Sequence, residues 1–317
     1  MREENTSHQK ARVFHYFRKA AKDSSARDCG VMNGTTENTS AAFCAELVRT
    51  HDFDNYATTL FAPLRCRRAL LALYAFNVEI VRVREQITQP LPGEIRLQWW
   101  IDMIGGAGHG GVEGNPVAAE LLLGIREHGL PVELLSLLIE AHQFDLYNDP
   151  MPDMAALEQY LGDTSCALFS LASRVVGHRS DETDHLARHA GLARGMARVV
   201  AKFGSDASRR QSYVPLLLLE QYGVDLEQMF AGRDTPSVRA AIGELANEAR
   251  SHLEVARGLL PDLPPQSRGV YLPLALVGRL LNDVIGTDIN PFVPRPVSRL
   301  RILWTIWRAS HTRPFRG

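Results

Sequence analysis

Three groups of polar side chains fall at spacings that could do chemistry on a helix. His142, Asp145 and Asp149 stand three and four residues apart, and His185 and His189 stand four apart. Either spacing puts ligating atoms on one helical face, where a metal could be held. The same spacing suits a solvated helix surface, and capping or hydrogen bonding would equally account for Asp145. The third group is Glu79, Arg82 and Glu85. The two glutamates are six residues apart and do not share a face, so they suit a cation poorly. Arg82, three residues from each, is placed for an intrahelical ion pair contributing about 0.2–0.5 kcal/mol. Ser170 and Ser173 lack a G-x-S-x-G context, so acyl-enzyme chemistry is unsupported. The run GGAGHGGVEGNP follows no strand and is no dinucleotide fingerprint. Glycine's permissiveness explains it as a flexible loop, with phosphate binding the lesser reading.

These residues sit on a chain that reads as helix from Ala41 onward. The stretch 70–87, LLALYAFNVEIVRVREQI, predicts a long buried helix, with Leu70, Leu73, Tyr74, Asn77, Val81 and Arg84 on one side and Leu71, Ala75 and Val78 widening its apolar surface. PLPGEIRLQWWIDMIGG predicts a second helix after a Pro-Gly turn. Asn115 and Pro116 form an N-cap and N1 pair for a helix through His128. Asp153 caps MAALEQYL, which runs into CALFSLASRVVG and stops at Gly177. Ser180 caps DETDHLARHAGLARGMARVVAKFG, and Thr235-Pro236 opens an amphipathic helix to Pro261. After Pro264-Pro265 the pattern returns to apolar helix in VYLPLALVGRLLNDVIG. No period-2 strand of useful length and no internal repeat is visible, so the fold class is all-α.

The 317 residues are 45% hydrophobic and 22% charged, enough for a globular core. A formal net charge of −1 lacks the basic field of a nucleic-acid binder. Cys29, Cys44, Cys66 and Cys166 make no CxxC pair, which favours reduced thiols in a cytoplasmic-type compartment. No run approaches the about 18 apolar residues of a membrane span. Residues 1–41 are polar and aperiodic and read as a disordered arm; Met32 offers an alternative start that would remove most of it.

Several segments resemble the squalene/phytoene synthase family, whose members carry a helix of the form YAFCRxxDDxxDE. Tyr74, Ala75 and Phe76 match its opening. Val78 replaces the motif's arginine, Val81 and Arg82 stand where the paired aspartates belong, and Glu85 stands at the last carboxylate. HAGLARGMARVVAKFGSDASRRQSYVP resembles the family's GLALQLTNILRDVGEDxxxGRxYLP. Gly191, Leu192, Ala193, Gly204, Asp206, Ala207, Tyr213 and Pro215 match it. Lys202 takes the first aspartate of DxxED and Ser205 the glutamate, leaving Asp206; Gly195, Arg198 and Ala201 replace glutamine, asparagine and arginine. Asp54, Asn55, Tyr56 and Pro63 align with the family's SFYxAxxxLP segment without its serine. Asp145 matches an aspartate, and Tyr160, Arg174 and Gly177 match YCYRVAGxVGxxxARxxG, where Cys166 and Phe169 replace small glycines and would narrow a prenyl-sized cavity.

The resemblance covers about residues 41–290 and implies an isoprenoid-synthase-like helical bundle. In the family, aspartates on facing helices hold the magnesium of a prenyl diphosphate, because hard oxygen ligands must neutralise the leaving group. With lysine at one ligand position and Val81 and Arg82 at others, a three-magnesium site is not expected. Arg82, Arg198 and Lys202 could instead meet a diphosphate directly as cations. FNVEI-x-RVR with PLPGEIRLQWW is closer to a divergent branch that includes proteobacterial proteins and a mitochondrial respiratory complex I assembly factor. The expectation is a non-catalytic isoprenoid- or partner-binding protein with no cofactor, in the setting of respiratory-complex assembly. The alternatives are an active head-to-head prenyltransferase, which would need Mg2+, and a scaffold whose cavity is filled.

From Ile289 to Gly317 there are six arginines and no acid. Leu300, Leu303, Trp304 and Trp307 form an apolar stripe within this segment. The segment 291–317 therefore predicts a basic amphipathic helix, either peripheral at the inner face of a membrane or docked on the core by that stripe.

Overall fold

The chain's first described helix, α1 (Gly34–His51), starts upstream of the boundary expected at Ala41. Extending an existing helix adds one hydrogen bond per residue fixed, so a polar turn can propagate from an amphipathic one. The structure is a computed structural model describing residues 34–106, 114–286, 289–293, 295 and 297–316, with backbone alone for 34–38. The rest of the expected arm, the Met32 start and most of the glycine-rich run lie outside those residues.

After the short α2 (Phe53–Thr59), Pro63 caps α3 (Leu64–Val81), the buried helix of the sequence pattern. Leu70, Leu73, Tyr74, Phe76 and Ile80 are all buried along it. The helix ends at Val81 rather than running on to Ile87. Its last turn tightens, with Arg82 N–H bonding Val78 O and Val83 N–H bonding Ile80 O, and a 3-10 turn spans Arg84–Gln86. Ile87 is extended, leading to Pro90 at the start of α4 (Pro90–Ile104). Trp100 of α4 meets Phe76 edge-on at 5.3 Å.

Asn115 caps α5 (Pro116–His128) by accepting from the amides of Val117 and Ala118, and Gly129 ends it at φ 57°. α6 (Val132–Ala141) leads to a 3-10 turn at Phe144–Leu146. Asp153 caps α7 (Met154–Leu161) as expected. The continuation to α8 (Ala167–Val175) passes through a π turn, Gly162–Cys166, closed by the Thr164 hydroxyl on Tyr160 O at 2.7 Å.

Ser180 caps α9 (Asp181–Ser208), which packs on α8 and on the later helices α12 (Pro236–Leu259) and α13 (Leu274–Ile285). The short α10 (Leu216–Gln221) and α11 (Leu226–Phe230) precede α12. Gly191 lets α9 touch the π turn: a Cβ there would lie 2.4 Å from the Cys166 Cα. The apolar helix expected from Val270 starts later, because Pro265–Tyr271 forms a 3-10 segment first.

α14 (Arg299–Ser310) docks on α2 and α13. It buries Ile302, Ile306 and Ala309, not the expected stripe; Leu303, Trp304 and Trp307 flank this face half-buried and Leu300 is 64% exposed. Among the described residues there is no strand, and no helix is long and apolar enough to cross a membrane.

Candidate functional site

α3, the α7–α9 helices and the turns around residues 84, 145 and 211 enclose a cavity of about 160 Å3. That is below the roughly 300–1,000 Å3 of most small-molecule pockets. The side of α3 expected to face one way delivers Tyr74, Asn77 and Val81 to its wall. The π turn, with one residue more than an α-helical turn, contributes Thr164 and Ser165.

Asp145 anchors one wall. It is buried, and one oxygen accepts from Tyr160 at 2.9 Å and Tyr213 at 2.6 Å. Its other oxygen is 2.6 Å from His142 Nδ1. Burial alone would push this carboxyl up, but the His142 imidazole and the donated hydrogen bonds outweigh it and hold Asp145 below its ordinary value. An ionised Asp145 keeps a proton on His142 Nδ1. The first sequence-derived metal group is thus a hydrogen-bonded pair, with Asp149 exposed apart from it.

The opposite wall carries Arg194 and Arg198, one turn apart on α9. Arg194 Nη1 donates to Asn55 Oδ1 at 2.8 Å, and Arg198 Nη2 donates to Asp52 Oδ1 at 3.1 Å. Asn55 also donates to Asp52 at 2.7 Å, so α9 is tied to the start of α2. Burial raises Asp52, yet Arg198 and Arg194 bring it below its ordinary value. Burial and then Arg198 lower Arg194 to about 10, so it remains charged at neutral pH.

The third wall holds Lys202, Asp206, Arg209, Arg84 and Glu85. Arg209 donates to Asp206 at 2.8 Å. Burial raises Asp206, partly opposed by that bond and by Lys202. Arg84 donates to Asn148 at 3.0 Å. Magnesium held to a diphosphate needs converging carboxylates. Here Lys202 and Val81 line the cavity beside Asp206, and Asp206 is bonded to Arg209.

Five cationic side chains therefore line the cavity against three carboxylates, Glu85, Asp145 and Asp206. Arg84 Nε and His142 Nε2 are buried without a hydrogen-bond partner among the described residues, and Arg194 Nη2 faces Asp52 at 3.7 Å and Asp54 at 4.0 Å. Buried polar groups are ordinarily paired. Arg84 Nε is thus the one guanidinium nitrogen of the lining that is buried with neither a hydrogen bond nor a carboxylate within 4.0 Å among the described residues.

Seven of the nine positions singled out from sequence line this cavity: Tyr74, Glu85, Asp145, Tyr160, Lys202, Asp206 and Tyr213. Tyr56 does not; it stacks on Phe53 at 6.0 Å. Arg82 does not either. Its side chain makes a 4.0 Å contact with Glu85, while Arg84, on the Tyr74, Asn77 and Val81 side of the sequence pattern, lines the cavity. Glu79 pairs instead with Arg96 at 3.2 Å. Phe169 lines the cavity and stacks flat on Tyr271 at 5.4 Å. Cys166 does not line it; its thiol donates to Arg188 O at 3.2 Å. Sequence reasoning missed Arg194 and Asp52. The available signal was an arginine one turn before Arg198 inside the otherwise apolar run 190–200.

A model of the squalene/phytoene synthase family matches residues 48–308. The chain is similar to NADH dehydrogenase (ubiquinone) complex I, assembly factor 6 of Mus musculus, 28% identical over 252 residues, covering 80% of this chain and 76% of that protein. The Drosophila melanogaster homolog of that factor is 31% identical over 259 residues, covering 78% and 75%. Among solved structures, a dehydrosqualene synthase in complex with ligand superposes with a TM-score of 0.75 at 15% identity, over 86% of this chain and 95% of that one.

Proposed function

Because the chain belongs to the squalene/phytoene synthase family, we propose that it is a non-catalytic member that binds an isoprenoid diphosphate by direct cation contact and works with a protein partner in assembly of a respiratory complex. One observation carries the binding half: Lys202, Arg198 and Arg84 stand around a cavity where catalysis would need carboxylates for magnesium. Such cations can meet diphosphate oxygens through charge-assisted hydrogen bonds without metal. The small volume beside Phe169 suits a head group and part of one chain better than two prenyl chains set for condensation. The likeness to complex I assembly factors supports the partner half.

The test is turnover and binding with radiolabelled farnesyl and geranylgeranyl diphosphate, with and without Mg2+. The expected outcome is Mg2+-independent binding and no C30 or C40 product. Magnesium-dependent condensation would return the chain to the active prenyltransferases, and folded protein that binds nothing would leave a scaffold.

The outward side of α14 supports a peripheral membrane contact. Leu300 is exposed, Trp304 and Trp307 stack at 5.2 Å half-buried, and Arg301 and Arg308 are exposed beside them. Tryptophan and arginine together suit an anionic interface. Flotation with anionic liposomes should fail for a chain lacking residues 298–317; equal flotation of both chains refutes this contact.

A further inference from the structure

Three imidazoles stand in a row across the α9–α12 pair, away from the cavity. His185 and His189 lie one turn apart on α9, and their Nε2 atoms are 3.1 Å apart. On the other edge of its ring, His189 Nδ1 is 2.8 Å from Nδ1 of His252 on α12. His252 Nε2 in turn faces Glu248 Oε1 at 3.4 Å. His185 is exposed, and His189 and His252 are half-buried.

His252 Nε2 lies at ion-pair distance from Glu248 without a hydrogen bond, and the 2.8 Å contact between the two Nδ1 atoms takes one proton, carried by His189 or by His252. With His189 as the Nδ1 donor, its Nε2 carries a lone pair on the side of His185. A ligating histidine whose other N–H is held by a further acceptor is the usual arrangement around a protein-bound metal. Two metal–nitrogen bonds of about 2.0–2.1 Å would span the 3.1 Å separation at roughly 100°, an angle open to tetrahedral and tetragonal ions. Arg188, the neighbouring cation, is drawn off toward Glu158 at 3.3 Å.

We propose that His185 and His189 hold a divalent transition-metal ion of the zinc or copper class through their Nε2 atoms, with His252 and Glu248 as positioning residues. Imidazole nitrogen suits these ions. Among the described residues no group of three or more ligating side chains gathers around one point. The site is therefore a two-histidine chelate whose other coordination positions go to water or to an external ligand. Both ligands lie on α9, α12 contributes the His252 contact, and the site is independent of what the cavity binds.

The experiment is equilibrium dialysis of the full chain, carrying no added histidine tag, against Zn2+ and separately against Cu2+ at pH 7.5. One ion per chain is expected, with the visible absorption of nitrogen-bound Cu2+. His185→Gln, at an exposed position, should abolish binding while thermal melting shows the fold intact. His252→Gln and Glu248→Gln should weaken it by about tenfold or more, the range seen when outer-shell partners of a metal ligand are removed. His178→Gln should change nothing. No bound ion, an ion retained by the folded His185→Gln chain, or full affinity in His252→Gln overturns the proposal.

Discussion

Asp145 and Tyr213 are 68 residues apart in sequence and 2.6 Å apart in space. The bond joins the turn after α6 to the segment after α9, and Gln211 extends it by donating to the Tyr213 oxygen at 3.0 Å. Tyr160 from α7 shares the same carboxylate oxygen. One buried carboxylate thus fixes the distance between elements on two sides of the cavity.

Asp145→Asn should lower stability by about 1–3 kcal/mol, because its donors lose a charged acceptor. The pH dependence has a definite sign. The folded carboxyl titrates below its ordinary value, so its contribution is fully present above the unfolded value of about 3.9 and fades as pH falls toward the folded one. Urea melts from pH 6 down to pH 3 should show the difference between wild type and Asp145→Asn shrinking only at the acid end.

Arg194 is 4% exposed and holds Asn55 directly, with Asp52 3.7 Å away. Arg194→Leu should destabilise by about 3–5 kcal/mol, the effect of breaking a buried charge pair. In a double-mutant cycle with Asp52→Asn, which also touches Arg198, the combined loss should fall short of the sum of the single losses by at least about 1 kcal/mol. Strict additivity would contradict the coupling.

Gly191→Ala should destabilise by about 1–3 kcal/mol through overpacking. The new Cβ meets the Cys166 backbone, with its Cα at 2.4 Å and its N at 2.5 Å. Cys166→Ala should therefore not rescue it. Recovery in the double variant would mean that only the thiol was in the way.

Lys202→Ala and Arg84→Ala should each weaken binding of inorganic diphosphate by about tenfold, as expected from losing one charged hydrogen bond of about 1.5–3 kcal/mol. Arg82→Ala, whose side chain does not line the cavity, should leave the affinity within twofold. Calorimetric titration separates the three.

Ile306→Ala should cost about 2–5 kcal/mol as a core truncation, and Leu300→Ala under about 0.5. Ile306 is 0% and Leu300 64% exposed. Similar losses at both would mean that α14 docks through a different face.

Much of this arrangement was legible in the residues. Helical periodicity carried the all-α class, and the cap residues Asn115, Asp153, Ser180 and Thr235 each marked a true helix start, because capping is a local hydrogen bond between near neighbours. The face of Tyr74, Asn77 and Val81 was correct for the same reason: three- and four-residue spacing determines a face wherever the helix persists.

The misreadings arose where local rules stop. α3 ends at Val81 rather than running on to Ile87, and of the two arginines it was Arg84, already on the Tyr74 side of the pattern, and not the family-aligned Arg82, that came to line the cavity. On α14, Leu300 and the two tryptophans are the larger apolar groups, yet Ile302, Ile306 and Ala309 are buried, because the orientation of a docked helix depends on the surface of α2 and α13 beneath it. By itself the sequence determined which residues could be helical and where arginines and lysine fall along those helices. Only the tertiary structure decided their partners: Arg194 and Arg198 with the Asp52–Asn55 pair, Asp145 with two tyrosines, and His189 with His252. Charge pairing and hydrogen bonding act over a few ångströms in space, and the chain brings those groups together across separations that no periodicity records.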